Sequence, residues 1–225
     1  MGCTAIVPAA GSGTRMGAPG GKLFLPLLGR PVIAHTLLAL TASRSVDRIV
    51  IVTREEDILP LSNLVRELDL SCPVTLVRGG ATRAASVLAG LGEVEDDFVL
   101  VHDGARCLIT PDEIDRTVTV AEHYGAAAIG VPVKDTIKVC DPNGKIVDTP
   151  DRSKLWAVQT PQVFRTAILK EAFAQLDDFN VTDDCAVCER AGVAVYMVEG
   201  SYENIKITTP DDLVLAETIL KERGF

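Results

Sequence analysis

Short apolar runs rich in β-branched residues alternate with longer stretches of helical spacing, and this alternation most narrows what the chain can fold into. Strand-like runs lie at residues 4–8, 48–53, 74–77, 98–102 and 127–131. Between them, residues 32–42, 58–68, 83–91 and 111–123 repeat apolar side chains at helical intervals. Runs that are apolar throughout, rather than at every second residue, belong to strands covered on both faces. Strand–helix–strand order supplies the crossovers a parallel sheet needs. The expectation is an α/β fold with a mostly parallel sheet flanked by helices. With 225 residues, 47 % of them hydrophobic, the chain can bury one substantial core, so residues 1–225 read as a single domain. Thr110-Pro111-Asp112-Glu113 has the form of an N-cap, a proline in the first turn and a capping-box acid. Thr209-Pro210-Asp211-Asp212 repeats it before the last helical stretch, with Asp in place of Glu.

One segment breaks the alternation. Residues 134–152 read as short strands around Asn143-Gly144, a strong hairpin-turn dipeptide. Such a β-hairpin arm protrudes from the sheet, as a flap over a site or as a reach toward a second subunit.

The net charge of −9 argues against a non-specific nucleic-acid binder, which needs a basic footprint. No run of about 18 apolar residues is present, so no membrane span is expected. The first residues lead directly into a strand-like run without the basic and apolar regions of a secretion signal, which makes a cytoplasmic enzyme the expectation. Six cysteines are scattered along the chain, and only Cys185 and Cys188 form a C-x-x-C, in a helical stretch without a second pair. They read as idle thiols rather than a zinc or redox site.

The loop after the first strand carries the clearest chemistry: Pro8-Ala9-Ala10-Gly11-Ser12-Gly13-Thr14-Arg15-Met16-Gly17. In an open parallel sheet, ligands bind beyond the carboxyl ends of the strands. Glycines there let backbone amides approach an anion, and Arg15 and Lys22 add positive charge. No Asp or Glu occurs before residue 47, although the whole chain is acidic. The pattern points to a polyphosphate, with a solvated basic surface as the alternative. It is neither G-x-x-x-x-G-K-[ST] nor G-x-G-x-x-G followed by an acid about 20 residues on, so a P-loop and a dinucleotide fold are both poor fits.

His102-Asp103-Gly104-Ala105-Arg106 follows an apolar strand. An acid at a strand's carboxyl end can hold Mg²⁺ beside a polyphosphate; an Asp103–Arg106 ion pair or a helix cap is the other reading. His102 reads as a structural residue rather than a base. Gly79-Gly80-Ala81-Thr82-Arg83-Ala84-Ala85-Ser86 opens a helix after a strand, either to read a base or ribose edge or as a plain turn and cap. Lys206 stands in a strand-like run, 203–207, where a lone cation suggests an anion partner.

Taken together, these residues resemble the methylerythritol phosphate cytidylyltransferases of the non-mevalonate isoprenoid pathway, nearly end to end. The likeness is carried by the glycine loop, Lys22, Gly79 to Arg83, His102 to Arg106, Asp135-Thr136-Ile137-Lys138 and Asp151-Arg152-Ser153. It continues through Leu155-Trp156-Ala157-Val158-Gln159-Thr160-Pro161-Gln162, Thr182-Asp183-Asp184 and Glu199-Gly200-Ser201-Tyr202-Glu203-Asn204-Ile205-Lys206. The glycine loop is shared among many nucleotidyltransferases; the runs at Trp156 and Asn204 are more specific. Where the family commonly has proline, this chain has Gly21 and Cys107, changes that loosen loops without removing a charge.

The resemblance implies a Rossmann-like nucleotidyltransferase fold and condensation of CTP with 2-C-methyl-D-erythritol 4-phosphate, releasing pyrophosphate. It implies Mg²⁺ as cofactor, held by Asp103, and Arg15 and Lys22 as the catalytic cations. Pro8, Ala9, Ala10, Gly11, Gly80, Ser86, Asp103 and Gly104 would contact the nucleotide. Thr136, Arg152, Lys206, Arg106, Thr160 and Thr182 would bind the sugar phosphate. It also implies a homodimer in which the arm carries Thr136 and Arg152 to the partner's site. A ribitol-5-phosphate cytidylyltransferase is the nearest rival, and a non-catalytic nucleotide-binding protein a more distant one. Neither a nucleic acid nor a membrane is an expected partner.

Overall fold

The computed structural model describes residues 2–11 and 21–225. Strand β1 (Cys3–Pro8) leads to a small ribbon, β2 (Pro26–Leu27) and β3 (Arg30–Pro31), and then to helix α1 (Val32–Ala42). Three strand–helix repeats follow: β4 (Arg48–Thr53) with α2 (Ile58–Leu68), β5 (Val74–Arg78) with α3 (Arg83–Leu91), and β6 (Phe98–Val101) with α4 (Pro111–Tyr124). Next come β7 (Ala126–Pro132) and the arm strands β8 (Val139–Cys140) and β9 (Ile146–Asp148). The chain ends with β10 (Trp156–Arg165), α5 (Thr166–Ala174), α6 (Asp184–Arg190), β11 (Tyr196–Glu199) and α7 (Pro210–Glu222).

Seven strands form one sheet in the order β11-β7-β10-β6-β1-β4-β5. β1 pairs in parallel with both β4 and β6, and β7 with β11, while β10 runs antiparallel to its neighbours β6 and β7. Successive side chains of a strand face opposite ways. In β1, Ala5 and Val7 accordingly enter a core with Leu37 of α1, Leu61 of α2, Ile114 of α4 and Ile219 of α7. Ile6 enters the opposite core with Val87 of α3, Leu169 of α5 and Val187 of α6. Both faces are covered, as the uninterrupted apolar runs require.

Both marked helix starts form. Thr110 and Glu113 close a capping box on α4, and Thr209 and Asp212 close one on α7. Within the arm, Gly144 takes a positive φ of 83° and Asp141 accepts backbone bonds from Asn143 and Lys145.

Two details differ from the sequence reading. The strand at 98–102 stops at Val101, and residues 203–207 do not form a strand. Five strands and helices went unread: the short pair β2 and β3, and β10, α5 and β11. Proline inside a run argues against a strand because it cannot donate to the ladder. In β10 the ladder with β7 shifts register between Val158 and Gln162, and Pro161 sits within that irregularity, where no donor is required.

Candidate active site

The loops after β1, β5 and β6 emerge on one edge of the sheet and enclose a cavity of about 410 Å³. It is lined by Pro8, Ala9, Ala10, Gly11, Lys22, Gly80, Arg83, Ser86, Asp103, Gly104 and Lys206, among others. The Ala9 amide donates to the Val52 carbonyl at 2.7 Å, fixing the start of the first loop to β4. Ser86 Oγ accepts from the Gly80 amide at 3.1 Å and donates to the Thr82 carbonyl at 2.9 Å, while Thr82 caps α3. A Cβ on Gly80 would lie 2.6 Å from the Ala85 Cβ, so this turn closes only around glycine.

Asp103 is the one carboxylate lining the cavity among the described residues. Its backbone amide donates to Thr160 Oγ1 at 3.0 Å. Its carboxylate meets Lys206 Nζ at 2.8 Å and the Nε atoms of Arg83 and Arg106 at 3.6 Å each. Burial opposes ionisation, but Lys206 and then Arg83 hold Asp103 well below the usual carboxylate range. His102 is buried behind it, with Nε2 3.1 Å from the Arg106 carbonyl and Nδ1 3.2 Å from Thr160 Oγ1. Burial lowers its pKa to about 4, so the ring is neutral at pH 7. A neutral ring facing a carbonyl on one side donates there and accepts from the Thr160 hydroxyl on the other. His102 is therefore a structural strut, as its position suggested.

Segment 203–207 is stitched to this loop by other means than a strand ladder. The Arg106 guanidinium donates to the Asn204 carbonyl at 2.8 Å. The Asn204 amide donates to Gln159 Oε1 at 3.1 Å and to the Thr160 carbonyl at 3.0 Å. Ile207 gives its N–H to the Ala105 carbonyl at 2.9 Å, and its own carbonyl accepts from Lys22 Nζ at 2.7 Å. Lys206 and Lys22 thus both reach the cavity at one short segment, the first from within it and the second bonded to its Ile207 carbonyl.

A smaller cavity of about 140 Å³ adjoins, lined by Arg83, Asp103, Arg106, Gln159, Thr160, Gln162, Thr182 and Lys206 among others. The expected sugar-phosphate residues Lys206, Arg106, Thr160 and Thr182 converge there. Thr136 and Arg152 line neither cavity: both are exposed on the arm, with Arg152 donating to the Lys134 carbonyl at 2.7 Å. Arg15 lies outside the described residues.

A two-lobed pocket at the strand ends, with one carboxylate among several cations in its larger lobe and Asp183 joining it in the smaller, suits a polyphosphate reaction. Comparison with known proteins points the same way. The family model for 2-C-methyl-D-erythritol 4-phosphate cytidylyltransferase matches residues 3–222. The chain belongs to this family. The cytidylyltransferase of that name from Synechococcus sp. (strain JA-3-3Ab) is 49 % identical, with 97 % of each chain covered. That from Bacillus velezensis is 46 % identical, over 96 % of this chain and 94 % of the relative. Among solved structures, the 4-diphosphocytidyl-2C-methyl-D-erythritol synthase from Anaerococcus prevotii superposes with a TM-score of 0.87 at 29 % identity, covering 98 % of both chains. The 2-C-methyl-D-erythritol 4-phosphate cytidylyltransferase from Thermus thermophilus gives 0.81 at 32 % identity, covering 98 % of this chain and all of the other.

The cytidylyltransferase family generally depends on a divalent metal, and the donor set here accommodates one of a particular kind. Among the described residues no three His, Cys, Asp or Glu side chains gather as a metal cluster. A single buried carboxylate suits a hard cation that completes its shell with phosphate oxygens and water, not one caged by protein.

Two positions where cytidylyltransferases commonly carry proline are accommodated. Gly21 adopts φ 85° at the entry to the turn bearing Lys22, a conformation closed to proline. Cys107 is buried, with burial pushing its thiol up to about 12, and the 102–106 loop before it is closed by the Arg106 N–H to Asp103 carbonyl bond. The residues that sequence reasoning left without a role are Arg83, Asp184 and Gln162. Gln162 Oε1 accepts from the Asp184 and Cys185 amides, and its Nε2 donates to Asp183, the N-cap of α6. All three lie within quoted motifs, but nothing in their spacing shows that they meet.

Proposed function

We propose that the larger cavity takes CTP and the smaller one the sugar phosphate, with the two substrates meeting beside Asp103 and Lys206. The chain is a cytidylyltransferase of isoprenoid biosynthesis, joining CTP to 2-C-methyl-D-erythritol 4-phosphate to give 4-diphosphocytidyl-2-C-methyl-D-erythritol and pyrophosphate. The observation that carries the site assignment is the shared wall: Arg83, Asp103 and Lys206 line both cavities.

In this reading the acceptor phosphate attacks the α-phosphorus of CTP in line, forming the new P–O bond as the bond to pyrophosphate breaks. The attacking oxygen is already anionic, so no general base is needed and the neutral His102 has no proton to take. The protein's work is positioning and charge stabilisation. Backbone groups of residues 8–11 and the Gly80 turn hold the nucleotide, while Lys206, Arg106, Thr160 and Thr182 orient the acceptor. Lys22 and Arg15 offset the charge that gathers on the phosphoryl oxygens. Asp103 would hold Mg²⁺, which supplies further charge neutralisation to the triphosphate when bound.

The arm supports a homodimer: Ile137, Val139, Ile146 and Val147 expose between 40 % and 58 % of their surface, a load of apolar area that a second subunit would cover. Thr136 and Arg152 then serve the partner's acceptor site. Two cores on the faces of one sheet support a single domain over residues 1–225. All six cysteines are free, in keeping with a reducing cytoplasm. Among the described residues no helix is long and apolar enough to cross a membrane.

Purified protein with CTP and Mg²⁺ is expected to release pyrophosphate with 2-C-methyl-D-erythritol 4-phosphate, and far less with ribitol 5-phosphate. Equal turnover of the two acceptors would overturn the acceptor assignment.

A further inference from the structure

The two cavities meet at a residue that the reaction has not yet been given. Arg83, in the first turn of α3, places Nε 3.6 Å from Asp103 Oδ1 and Nη2 2.8 Å from Asp184 Oδ2. These ion pairs engage Nε and Nη2 of a guanidinium with five N–H donors, which leaves donors for a ligand. Its side chain is 27 % exposed, whereas that of Asp184 is 1 % exposed.

Asp184 is an expensive residue to keep. It lies at the start of α6 with both carboxylate oxygens buried and without an aligned hydrogen bond. Burial raises its pKa, and Arg83 pulls the other way. An apolar pair of similar volume generally holds a fold as well as a buried ion pair or better, so stability alone gives weak reason for this one. What the pair does is geometric: it pins a planar cation, able to grip a phosphate through two donors, on the wall both cavities share.

We propose that Arg83 binds the phosphate transferred between the two substrates, and that Asp184 is the positioning residue that aims its guanidinium. This rests on the assignment of the two cavities to nucleotide and sugar phosphate. Asp184 neutralises Arg83 independently of Asp103, so the guanidinium keeps its place when Asp103 engages a cation. Arg83 thus offers a fixed guanidinium at the junction, on the wall that both substrates' pockets share.

The test is a cycle of variants assayed by pyrophosphate release, each with a melting curve. Arg83→Gln alone strands a buried carboxylate and is expected to lower the melting temperature. Arg83→Gln combined with Asp184→Asn replaces the charged pair by neutral amides of similar shape. The double variant is expected to melt near wild type yet lose at least about tenfold in kcat/KM for both substrates, the scale of a charge-assisted contact. Wild-type kinetics in the folded double variant would overturn the proposal. Arg83→Lys keeps the charge beside Asp184 but not the two-pronged grip; a several-fold loss is expected, and unchanged kinetics would count equally against it. If Asp184 acts through Arg83, the double variant loses no more than Arg83→Gln alone; additive losses would remove Asp184's role. Hydrogen exchange on the wild-type protein separates this from the underlying site assignment: CTP should protect residues 80–86, and no protection there would refute the cavity assignment whatever Arg83 does.

Discussion

Asp103 is buried among Lys206, Arg83 and Arg106, and its loop is tied down by Thr160, by His102 and, through Arg106, by the Asn204 carbonyl. Between residues 134 and 151, by contrast, nearly every side chain is exposed, and the two short strands are held by little beyond their turn. The first region makes most of its polar contacts within one chain, with Arg106 Nε and Asn204 Oδ1 left without a hydrogen bond among the described residues. The second has no interior of its own, and its charged groups make a few exposed contacts, Lys138 to Thr149, Arg152 to the Lys134 carbonyl and Lys134 over the Tyr202 ring, while its apolar side chains stay open. Preorganisation therefore resides in the strand-end loops, and the proposed dimer is what would give the arm its role.

The sharpest way to break that contrast is to disable each region separately. Lys22→Ala should cut pyrophosphate release by two or more orders of magnitude, as loss of a transition-state cation typically does. Arg152→Ala should also lose most activity while leaving the protomer's melting curve unchanged, because among the described residues its exposed guanidinium bonds only the Lys134 carbonyl. Mixed subunits carrying one lesion each should recover activity that neither parent shows. Failure to recover would place Arg152 outside the partner's site.

A smaller effect probes the stitching itself. Thr160→Val leaves the buried Asp103 amide without its acceptor and takes the hydroxyl away from His102 Nδ1. A loss of about 1–3 kcal/mol in urea unfolding is expected, with Thr160→Ser close to wild type. Unchanged stability in the valine variant would mean that the cluster is looser than its distances indicate.

The smallest effect concerns His35 on α1, whose Nε2 lies 2.8 Å from the Leu27 carbonyl in the ribbon after Lys22. Burial, with Arg30 adding to it, lowers its pKa below the usual 6.5, although the Leu27 contact opposes this. The unfolded chain then takes up a proton at higher pH than the folded one. The stability His35 contributes is complete above pH 6.5 and is lost as pH falls through its folded pKa. His35→Gln should flatten that acid limb in urea titrations; an identical slope would show that His35 titrates alike in both states.

Much of the sheet was legible because both-face burial writes itself as plain apolar runs, and Thr110 and Thr209 announced their helices through capping chemistry. β10 was hidden by Pro161 and by polar residues that are buried through tertiary bonds, as Gln162 is on the α6 amides. The glycine turn at Gly80 and the acid at Asp103 were readable because each answers a local demand. Arg83 and Asp184 were not, because a residue 101 positions away in the chain becomes a neighbour only once α3 and α6 pack on the same face of the sheet. His102 was placed correctly as a strut, but its Thr160 partner came from a strand that sequence reasoning did not draw.

Ile207 has a consequence of another kind. A single residue presents its N–H to Ala105 and its carbonyl to Lys22, while the side chain before it reaches Asp103. Between Asn204, anchored on Thr160, and Thr208, anchored on Asp212, there is no slack. One inserted or deleted residue would shift the spacing of both lysines at once, with every side chain unchanged. What this stretch transmits to the reaction is a length, so the ruler matters there as much as the letters.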